Sequence, residues 1–276
     1  MSDRRELLVL DHSGHRAEFD LRHGARLASL NVDGHELLVG RDADPMRWGS
    51  YPMAPWAGRI RHGRFIYDGI DHQLPVTLGP HAIHGTAYTS PWSLVTGVMV
   101  LEIDDPWPFP ARLEQRADLA ADGLSIELRV TAGDRSMPAM LGWHPWFRRV
   151  IADVSVELDF EASAMFELDD EMIPTGRVVD PAEPPWDNTF TEMSHKPVLR
   201  WPGVVELRLE SDCSFWTVYT EPEHAVCVEP QTAAPDIFNR IAASGPSGVD
   251  ADPVLQPGDS MVATFDLRWT VSEAES

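Results

Sequence analysis

The sequence predicts an all-β protein built from antiparallel sheets. Short segments in which apolar and polar residues alternate recur along the 276 residues, which is the period-2 pattern of strands with one buried face. No long window places apolar residues at helical spacing, so we expect few and short helices. Asp-Gly favours the positive φ angles of a two-residue hairpin turn, so each such dipeptide between strand-like segments predicts an antiparallel pair. Three occur, at Asp33-Gly34, Asp68-Gly69 and Asp122-Gly123.

The predicted elements follow in order along the chain. The Asp-Gly turns join RLASLNV to HELLV, RFIY to IDHQLPV, and ADLAA to LSIELRVTA. Later strands are predicted in VSVELDF, VVELRLE, SFWTVYT and MVATFDLRWTV. Most of the 23 prolines lie between strands, and DDPWPFPA, DPAEPPWDN and SGPSGVDADPVLQPGD are predicted loops. With no composition shift or repeat, we expect one domain over residues 1–276, a sandwich of two or more stacked sheets.

The composition argues against several classes of partner. The formal net charge is −22 and the pI is near 4.7. Nucleic-acid binding needs clustered Lys and Arg, which the sequence lacks, and an acidic surface is typical of solubility. No apolar stretch approaches the ~20 residues that span a bilayer. The start, MSDRRELLVL, is polar and then strand-like, unlike a signal peptide. We therefore expect a soluble, cytoplasmic protein, monomeric or homodimeric, without nucleic-acid or membrane partners.

The two cysteines, Cys213 and Cys227, are not spaced like a metal site or a redox pair. A disulfide between neighbouring strands is left open by the sequence. Disulfides persist mainly in secreted proteins, and we expect no signal peptide here, so the sequence supports a disulfide only weakly.

Two histidines lie three residues apart in the turn LGPHAIHG. His81 and His84 fit hydrogen-bonded loop residues, a His-x-x-His metal site, or a binding site. The metal interpretation lacks a carboxylate or cysteine at ligand spacing. Extended residues three apart point to opposite faces, so we expect only one of the two histidines to face a site.

His144 and Glu229 are candidates for proton transfer. His144 lies in the run LGWHPWF, whose apolar surroundings favour the neutral imidazole. Glu229 ends the apolar run HAVCV, where a carboxylate costs free energy unless it is partnered or used. Each also fits a purely structural role, as a buried histidine and as a carboxylate bonded to the loop QTAAPDIFN. In that loop Asp236 is interpreted as a turn former.

Arg59 follows the bend Trp56-Ala57-Gly58 and could form a surface ion pair or donate two hydrogen bonds to vicinal hydroxyls. Tryptophans are mostly core residues, although indole faces also stack on sugars. The tryptophans considered are Trp56, Trp92, Trp143, Trp146, Trp186 and Trp216. The sequence contains no Gly-rich phosphate loop, no Gly-x-Ser-x-Gly elbow and no HExxH motif.

Four segments, in order and at comparable spacing, resemble the aldose 1-epimerase (mutarotase) family: PWAGRI with the following GRF, PHAIHG, GWHPWF and VEPQTAAPDIFN. The resemblance covers roughly residues 25–240 in scattered blocks. It implies an all-β fold, the galactose mutarotase-like antiparallel β-supersandwich, and interconversion of the α and β anomers of a free hexose such as glucose or galactose.

The resemblance also implies roles for particular residues. Glu229 corresponds to the general base and His144 to the general acid, expected on opposite sides of the anomeric centre. Arg59 and His84 correspond to residues that hold the ring oxygen and hydroxyls. Asp187, in PPWDNTF, corresponds to a substrate-binding aspartate, and His81 is matched as a further binding position.

This chemistry requires no metal, nucleotide or other cofactor. Many family members carry asparagine before the arginine, whereas this sequence has Gly58, a difference that bears on substrate identity.

Other functions remain open at this stage. A hexose-6-phosphate 1-epimerase of the same fold would need basic residues for the phosphate, and Arg61 and Arg64 are available although the RHGR turn suggests exposure. A non-catalytic sugar-binding module would tolerate loss of the acid-base pair. A glycoside hydrolase or lyase would use two carboxylates, of which Glu229 alone has a persuasive motif.

Overall fold

The computed structural model describes residues 6–244 and 253–272. Within these ranges there are one α-helix, α1 Ile237–Ser244, and short 3₁₀ turns at Leu21–His23, Arg61–Gly63 and Ala87–Thr89. The strands are β1 Leu7–His12, β2 His15–Asp20, β3 Arg26–Val32, β4 His35–Glu36, β5 Ser50–Met53, β6 Arg59–Ile60, β7 Arg64–Tyr67, β8 Ile70–Gln73, β9 Ala82–Ile83, β10 Ser93–Val95, β11 Val98–Ile103, β12 Ala111–Leu119, β13 Gly123–Ala132, β14 Met137–Pro138, β15 Gly142–Arg148, β16 Val150–Ile151, β17 Val154–Ser155, β18 Glu157–Leu168, β19 Pro174–Val179, β20 Asp187–Trp201, β21 Val205–Ser211, β22 Phe215–Tyr219, β23 Ala225–Gln231, β24 Val254–Leu255 and β25 Ser260–Val271.

The strands form two antiparallel layers that share long strands. One layer, the site sheet, runs β1, β2, β3, β5, β15, β23, β22 and the first part of β20. The other layer, the back sheet, runs β10, β11, β12, β13, β25, β21 and the last part of β20. Strand β18 pairs along β20, so both long strands pass from one layer to the other. This all-β architecture confirms the predicted fold class.

The core lies between the two sheets. The Trp143 ring of β15 is 5.7 Å from the Phe265 ring of β25, and the Trp216 ring of β22 is 6.4 Å from the same phenyl ring. The Trp143 indole also donates to Gln115 Oε1 of β12 at 3.2 Å. Burying such large apolar rings is the main favourable term in folding. The site sheet therefore presents one face to the core and leaves the other for function.

All three predicted hairpins are present, two of them with the expected turn. Asp33 and Gly34 have φ of 50° and 84°, and Asp68 and Gly69 have φ of 50° and 73°. These positive angles are those of the two-residue turn whose twist matches antiparallel strands. Two equivalent turns that the Asp-Gly pattern did not reveal, Ser13-Gly14 and Thr96-Gly97, join β1 to β2 and β10 to β11.

The third hairpin has a different connection. Strands β12 and β13 pair as predicted, but Gly123 is the first residue of β13 and has no positive φ. It faces Arg268 of β25, and a Cβ added to Gly123 would lie 2.7 Å from Arg268 Cδ. Glycine is needed here for close approach of a neighbouring strand. Ala120 N donates to Gly123 O at 2.8 Å, so the connecting residues are Ala121 and Asp122, and the prediction that Asp122-Gly123 forms the turn was wrong.

The two cysteines lie within the described residues, whereas one predicted loop lies partly outside them. Cys213 and Cys227 are both free and buried, so no disulfide joins them. Burial raises the pKa of the Cys213 thiol to about 12. The predicted loop SGPSGVDADPVLQPGD lies partly outside the described residues, as does the polar start of the chain. Among the residues described, no helix is long and apolar enough to cross a membrane.

A tight backbone contact fixes the loop that follows His84. Gly85 has φ of 76° and forms a bridge with Ala54, whose carbonyl accepts from Thr86 N at 3.0 Å and Ala87 N at 3.1 Å. A Cβ on Gly85 would lie 1.9 Å from Ala54 O. Since no backbone atom can yield that far cheaply, only glycine fits this position.

We expect Gly85→Ala to lower the free energy of unfolding by about 3 kcal/mol or more, because strain and a backbone clash combine. Gly34→Ala is the matched control: Gly34 has φ of 84° but open space around its Cβ position, so it should cost only about 1 kcal/mol. Urea unfolding of both variants measures the difference. Equal losses would contradict the importance of the Ala54 contact.

Candidate active site

A single cross-strand row of side chains forms the floor of the site. His144 of β15 pairs with Tyr51 of β5, and the register of β15 with β23 sets His144 opposite Glu229. Glu229 pairs in turn with Thr217 of β22, and Thr217 with Thr189 of β20. Five neighbouring strands thus contribute one residue each. Residues as far apart in the sequence as Tyr51 and Glu229 meet in this row only because the strands pair.

Strand alternation explains why these side chains face away from the core. In β15, Trp143 and Phe147 point to the back sheet, so His144 and Trp146 point to the opposite face. The same rule places Glu229 of β23 on the site face while its neighbour Val228 belongs to the core. Polar residues alternating with apolar ones therefore line a cavity of about 380 Å³ on the free face of the sheet.

His144 and Glu229 are in direct contact. His144 Nε2 lies 3.2 Å from Glu229 Oε1, and the two side chains are only 7% and 3% exposed. Burial lowers the pKa of His144 to about 3. Burial and the nearby Asp187 raise the pKa of Glu229 well above its ordinary value. Both shifts favour the uncharged form of each group, a neutral imidazole beside a protonated carboxyl.

Aromatic rings hold the His144 imidazole in place. Trp146 stacks on it at 5.3 Å with an interplanar angle of 6°, and Tyr51 stacks at 5.0 Å. His84 meets it edge-on at 5.0 Å. The second ring nitrogen, Nδ1, is buried and has no partner among the described residues. The imidazole is therefore fixed by packing, with Nε2 as its working atom.

Arg59 is the first residue of β6, and His84 directly follows β9, the strand that pairs with β6. His84 has φ of 61°, and its Nδ1 accepts from Gly58 N at 3.3 Å. Burial lowers the pKa of His84 well below its usual range, which favours the neutral ring. The Arg59 guanidinium donates to Asp187 Oδ2 at 3.3 Å, and both side chains are 22% exposed. All of these side chains line the cavity.

Asp236 and Pro235 support Arg59 from behind. Asp236 N donates to Arg59 O at 2.9 Å, and Asp236 Oδ1 accepts from Arg61 N at 2.9 Å. Asp236 thus acts as the predicted turn former. A Cβ at Gly58, which has φ of 65°, would lie 2.6 Å from Pro235 Cγ. Pro235 therefore fills the space that an asparagine at position 58 would need.

His81 is the one expected site residue that the structure does not bring to the cavity. Its Nδ1 accepts from His62 N at 3.1 Å, and its Nε2 lies 3.1 Å from Glu171 O. Both ring nitrogens are occupied by backbone groups and the residue is 3% exposed. His81 instead ties its turn to the segment that carries Met172, a residue of the cavity wall.

Several cavity residues were not identified from the sequence. Gln231 follows Glu229 by two positions, and strand alternation could have placed it on the same face. Thr217 and Thr189 carry no local signal, because only strand pairing brings them beside Glu229. Among the tryptophans considered, Trp146 lines the cavity. Within the described ranges, no group of three or more His, Cys, Asp or Glu side chains could hold a metal ion.

The charge balance of the cavity is acidic. The lining includes the carboxylates of Asp44, Asp187, Glu221 and Glu229 and the guanidiniums of Arg47 and Arg59. Arg47 is itself paired with Asp44, with Nε 3.2 Å from Oδ2. The remainder is divided about evenly between hydroxyl, amide and ring side chains and apolar residues such as Leu78, Ile83 and Met172. Such a lining suits a neutral polyhydroxylated ligand better than an anion.

Comparison with known proteins shows the class to which this chain belongs. A family model described as aldose 1-epimerase matches residues 6–268, so the chain belongs to the aldose 1-epimerase family. The Escherichia coli protein YphB is 26% identical over 246 residues, which are 79% of this chain and 82% of that protein.

Solved structures share the fold. A galactose mutarotase-like protein from Clostridium acetobutylicum aligns with a TM-score of 0.86 at 15% identity, covering 97% of this chain and 96% of the other. A galactose 1-epimerase from Lactobacillus acidophilus aligns with a TM-score of 0.77 at 16% identity, covering 99% and 97%. At these identities the likeness concerns the fold. Together with the family membership, it supports a sugar epimerase or mutarotase of the isomerase class.

The shifts of the buried pair predict opposite pH dependences of stability. The folded-state pKa of His144 is depressed from 6.5 to about 3, so the unfolded chain takes up a proton that the native state refuses, and stability is lost as pH falls through this window. The folded-state pKa of Glu229 is raised above 4.5, so stability is lost as pH rises beyond that value.

Relative to the unaltered protein, His144→Gln should therefore gain melting temperature as pH falls below 6.5, and Glu229→Gln should gain it as pH rises above 4.5. Thermal denaturation between pH 4 and 8 tests both slopes. His12→Gln, at an exposed position, serves as the control and should run parallel to the unaltered protein. If the melting curves of all three variants ran parallel to that of the unaltered protein across this pH range, the pKa shifts of His144 and Glu229 would be contradicted.

Proposed function

We propose that this protein is an aldose 1-epimerase that interconverts the α and β anomers of a free hexose such as glucose or galactose. The observation that carries the proposal is the contact of 3.2 Å between His144 Nε2 and Glu229 Oε1 on the cavity floor. Family membership and fold support the reaction class. The choice of a free, uncharged sugar rests on the hydroxyl-binding groups of the lining and on its acidic charge balance.

The proton inventory of the pair matches the reaction. Ring opening moves the proton of the C1 hydroxyl to the Glu229 carboxylate while protonated His144 gives its proton to the ring oxygen, the C1–O5 bond breaks and C1 becomes an aldehyde. The pair carries one proton before and after this step, first on His144 and then on Glu229. Rotation about C1–C2 and the reverse transfers close the ring on the other face. Burial favours the uncharged form of the pair, which corresponds to the ring-open state.

The proposed base Glu229 and the proposed acid His144 both lie in the floor of the cavity. The two groups lie on neighbouring strands in contact, so both approach the sugar from the floor. Arg59 and His84 then hold the ring and its hydroxyls from the wall, and Asp187 keeps Arg59 oriented through the contact of 3.3 Å. The Arg59 charge also lowers the pKa of Glu229, opposing the effect of burial and favouring the base form.

The local charges disfavour the hexose-6-phosphate alternative. Arg61 forms ion pairs with Asp169 and Glu171, and Arg64 forms one with Asp71. Neither arginine lines the cavity. The cationic side chains that do line it are already paired with carboxylates, so a phosphate would meet a net negative environment. A sugar-binding protein without catalysis would have no need of a buried proton-holding pair, which costs folding free energy.

Glu229→Gln and His144→Asn should each lower kcat by roughly 10²–10⁴-fold, because each removes one half of the proton transfer. Polarimetry of freshly dissolved α-glucose and α-galactose, corrected for spontaneous mutarotation, measures the rate. The control is His195→Asn, a half-exposed histidine outside the cavity, which should retain full activity. Near-native turnover in either folded site variant would refute the acid-base roles.

Free hexose should be converted with a higher kcat/KM than its 6-phosphate, because the cavity offers the phosphate no unpaired cation. Activity should also survive incubation with EDTA, since the proton transfers need no Lewis acid. Both sugars are compared before and after chelation. Preference for the phosphorylated sugar would favour the hexose-6-phosphate epimerase, and loss of activity on chelation would contradict a metal-free mechanism.

A further inference from the structure

A chain of hydrogen bonds leads from Glu229 across the cavity floor. Gln231 Nε2 donates to Thr217 Oγ1 at 2.9 Å and to Glu229 Oε2 at 3.4 Å. Thr217 Oγ1 lies 2.8 Å from Thr189 Oγ1. Gln231 is fully buried, and Thr189 and Thr217 are 3% and 9% exposed. Glu229 Oε1 in turn contacts His144 Nε2 at 3.2 Å, and no other side chain of the described residues joins this network.

The direction of the chain follows from counting hydrogens. An amide nitrogen carries two, and Gln231 sends one to the carboxylate and one to Thr217. With Glu229 in its base form, the reverse amide orientation would turn the carbonyl oxygen of Gln231 toward the carboxylate, where two acceptors repel. The Thr217 hydroxyl hydrogen then has Thr189 Oγ1 as its acceptor among the contacts described. The hydroxyl hydrogen of Thr189 then has no acceptor among the side chains and backbone groups of the described residues, and Thr189 lines the cavity.

The chain acts on Glu229 in the presence of other charges. His144 faces it from β15, Tyr51 from β5, Asp187 from β20 and Arg59 from β6, and Cys227 lies on its own strand. Burial and Asp187 raise the pKa of Glu229, whereas Arg59 and the hydrogen bond from Gln231 lower it. Unlike Arg59, which must also bind the ligand, Gln231 is committed to the carboxylate and to Thr217.

We propose that Gln231 is the positioning residue of Glu229, holding its carboxylate toward the ligand in the base form, and that the same chain orients the Thr189 hydroxyl to donate to a hydroxyl oxygen of the sugar. The Oε1 atom of Gln231 is buried without a partner. A buried carbonyl oxygen without a hydrogen bond lowers the stability of the fold. The presence of a glutamine here therefore fits a role for the other half of the amide, its nitrogen. The proposal rests on the proposed function only for the identity of the ligand.

The first test titrates Glu229 without substrate. Infrared difference spectra against Glu229→Gln isolate the carboxyl band of Glu229 as pH is varied. In Gln231→Met, which keeps the volume and removes the amide donor, the midpoint should move to higher pH. The kcat should fall on the order of ten-fold, the worth of a hydrogen bond to a charged group, with KM changed much less. An unmoved midpoint would overturn the positioning role whatever the activity.

The threonines separate orientation from binding. Thr217→Val removes the acceptor of the Gln231 amide and should resemble Gln231→Met, whereas Thr217→Ser keeps the hydroxyl and should restore the native titration and kcat. Thr189→Val should raise KM several-fold and leave the Glu229 midpoint where it was. If Thr217→Ser behaved like Thr217→Val, bulk packing would explain both and the ordered chain would be refuted.

Thr131→Val provides the matched control, because Thr131 Oγ1 lies 2.8 Å from Ser260 Oγ in an equivalent cross-strand hydroxyl pair on the exposed surface. It should leave the titration, kcat and KM unchanged. The infrared titration needs no turnover. If Gln231→Met shifts the Glu229 midpoint but the unaltered protein converts no aldose, the hydrogen-bond chain is supported and the proposed reaction is refuted. If the unaltered protein converts aldoses but Gln231→Met leaves the midpoint unmoved, the reaction is supported and the chain is refuted.

Discussion

The contact between the His144 imidazole and the Glu229 carboxyl is the interaction on which the site depends. Two ionisable groups are removed from water together, and each is tolerable there because the other can hold the proton that it gives up. Removing one partner of such a buried pair commonly costs about 3–5 kcal/mol. The stacked rings of Trp146 and Tyr51 prevent the imidazole from turning away. Both the stability of the fold and the proposed proton transfer therefore require these two side chains to be present together.

The sandwich architecture makes that burial affordable. The back sheet covers one face of β15, β22 and β23 with apolar side chains, and alternation leaves every second residue for the cavity. The floor is therefore carried by paired strands, which hold side chains more precisely than loops do. The wall is carried by shorter elements, and Arg59 and His84 reach their places through positive-φ turns at Gly58 and His84 and a close contact at Gly85.

A tertiary contact also gives a structural reason for the residue at position 58. Pro235 packs where a side chain on residue 58 would lie, so glycine at that position and proline in the following loop form one structural unit. His81 is a comparable case, since its ring nitrogens join two backbone segments around the cavity. Pro235 and His81 thus shape the site without presenting a functional group to the cavity.

The sequence by itself determined the all-β class, the hairpins at Asp33-Gly34 and Asp68-Gly69, and the segments that hold His144, Glu229, Arg59 and His84, because alternation and turn chemistry are local properties. It could not decide which histidine of His81 and His84 faces the cavity, nor find Thr189 and Thr217. Those answers depend on strand register, and a shift of one residue would reverse every side chain of a strand. Only the tertiary structure, by pairing β15 with β23 and β22 with β20, set His144 against Glu229 and extended the floor to the threonines.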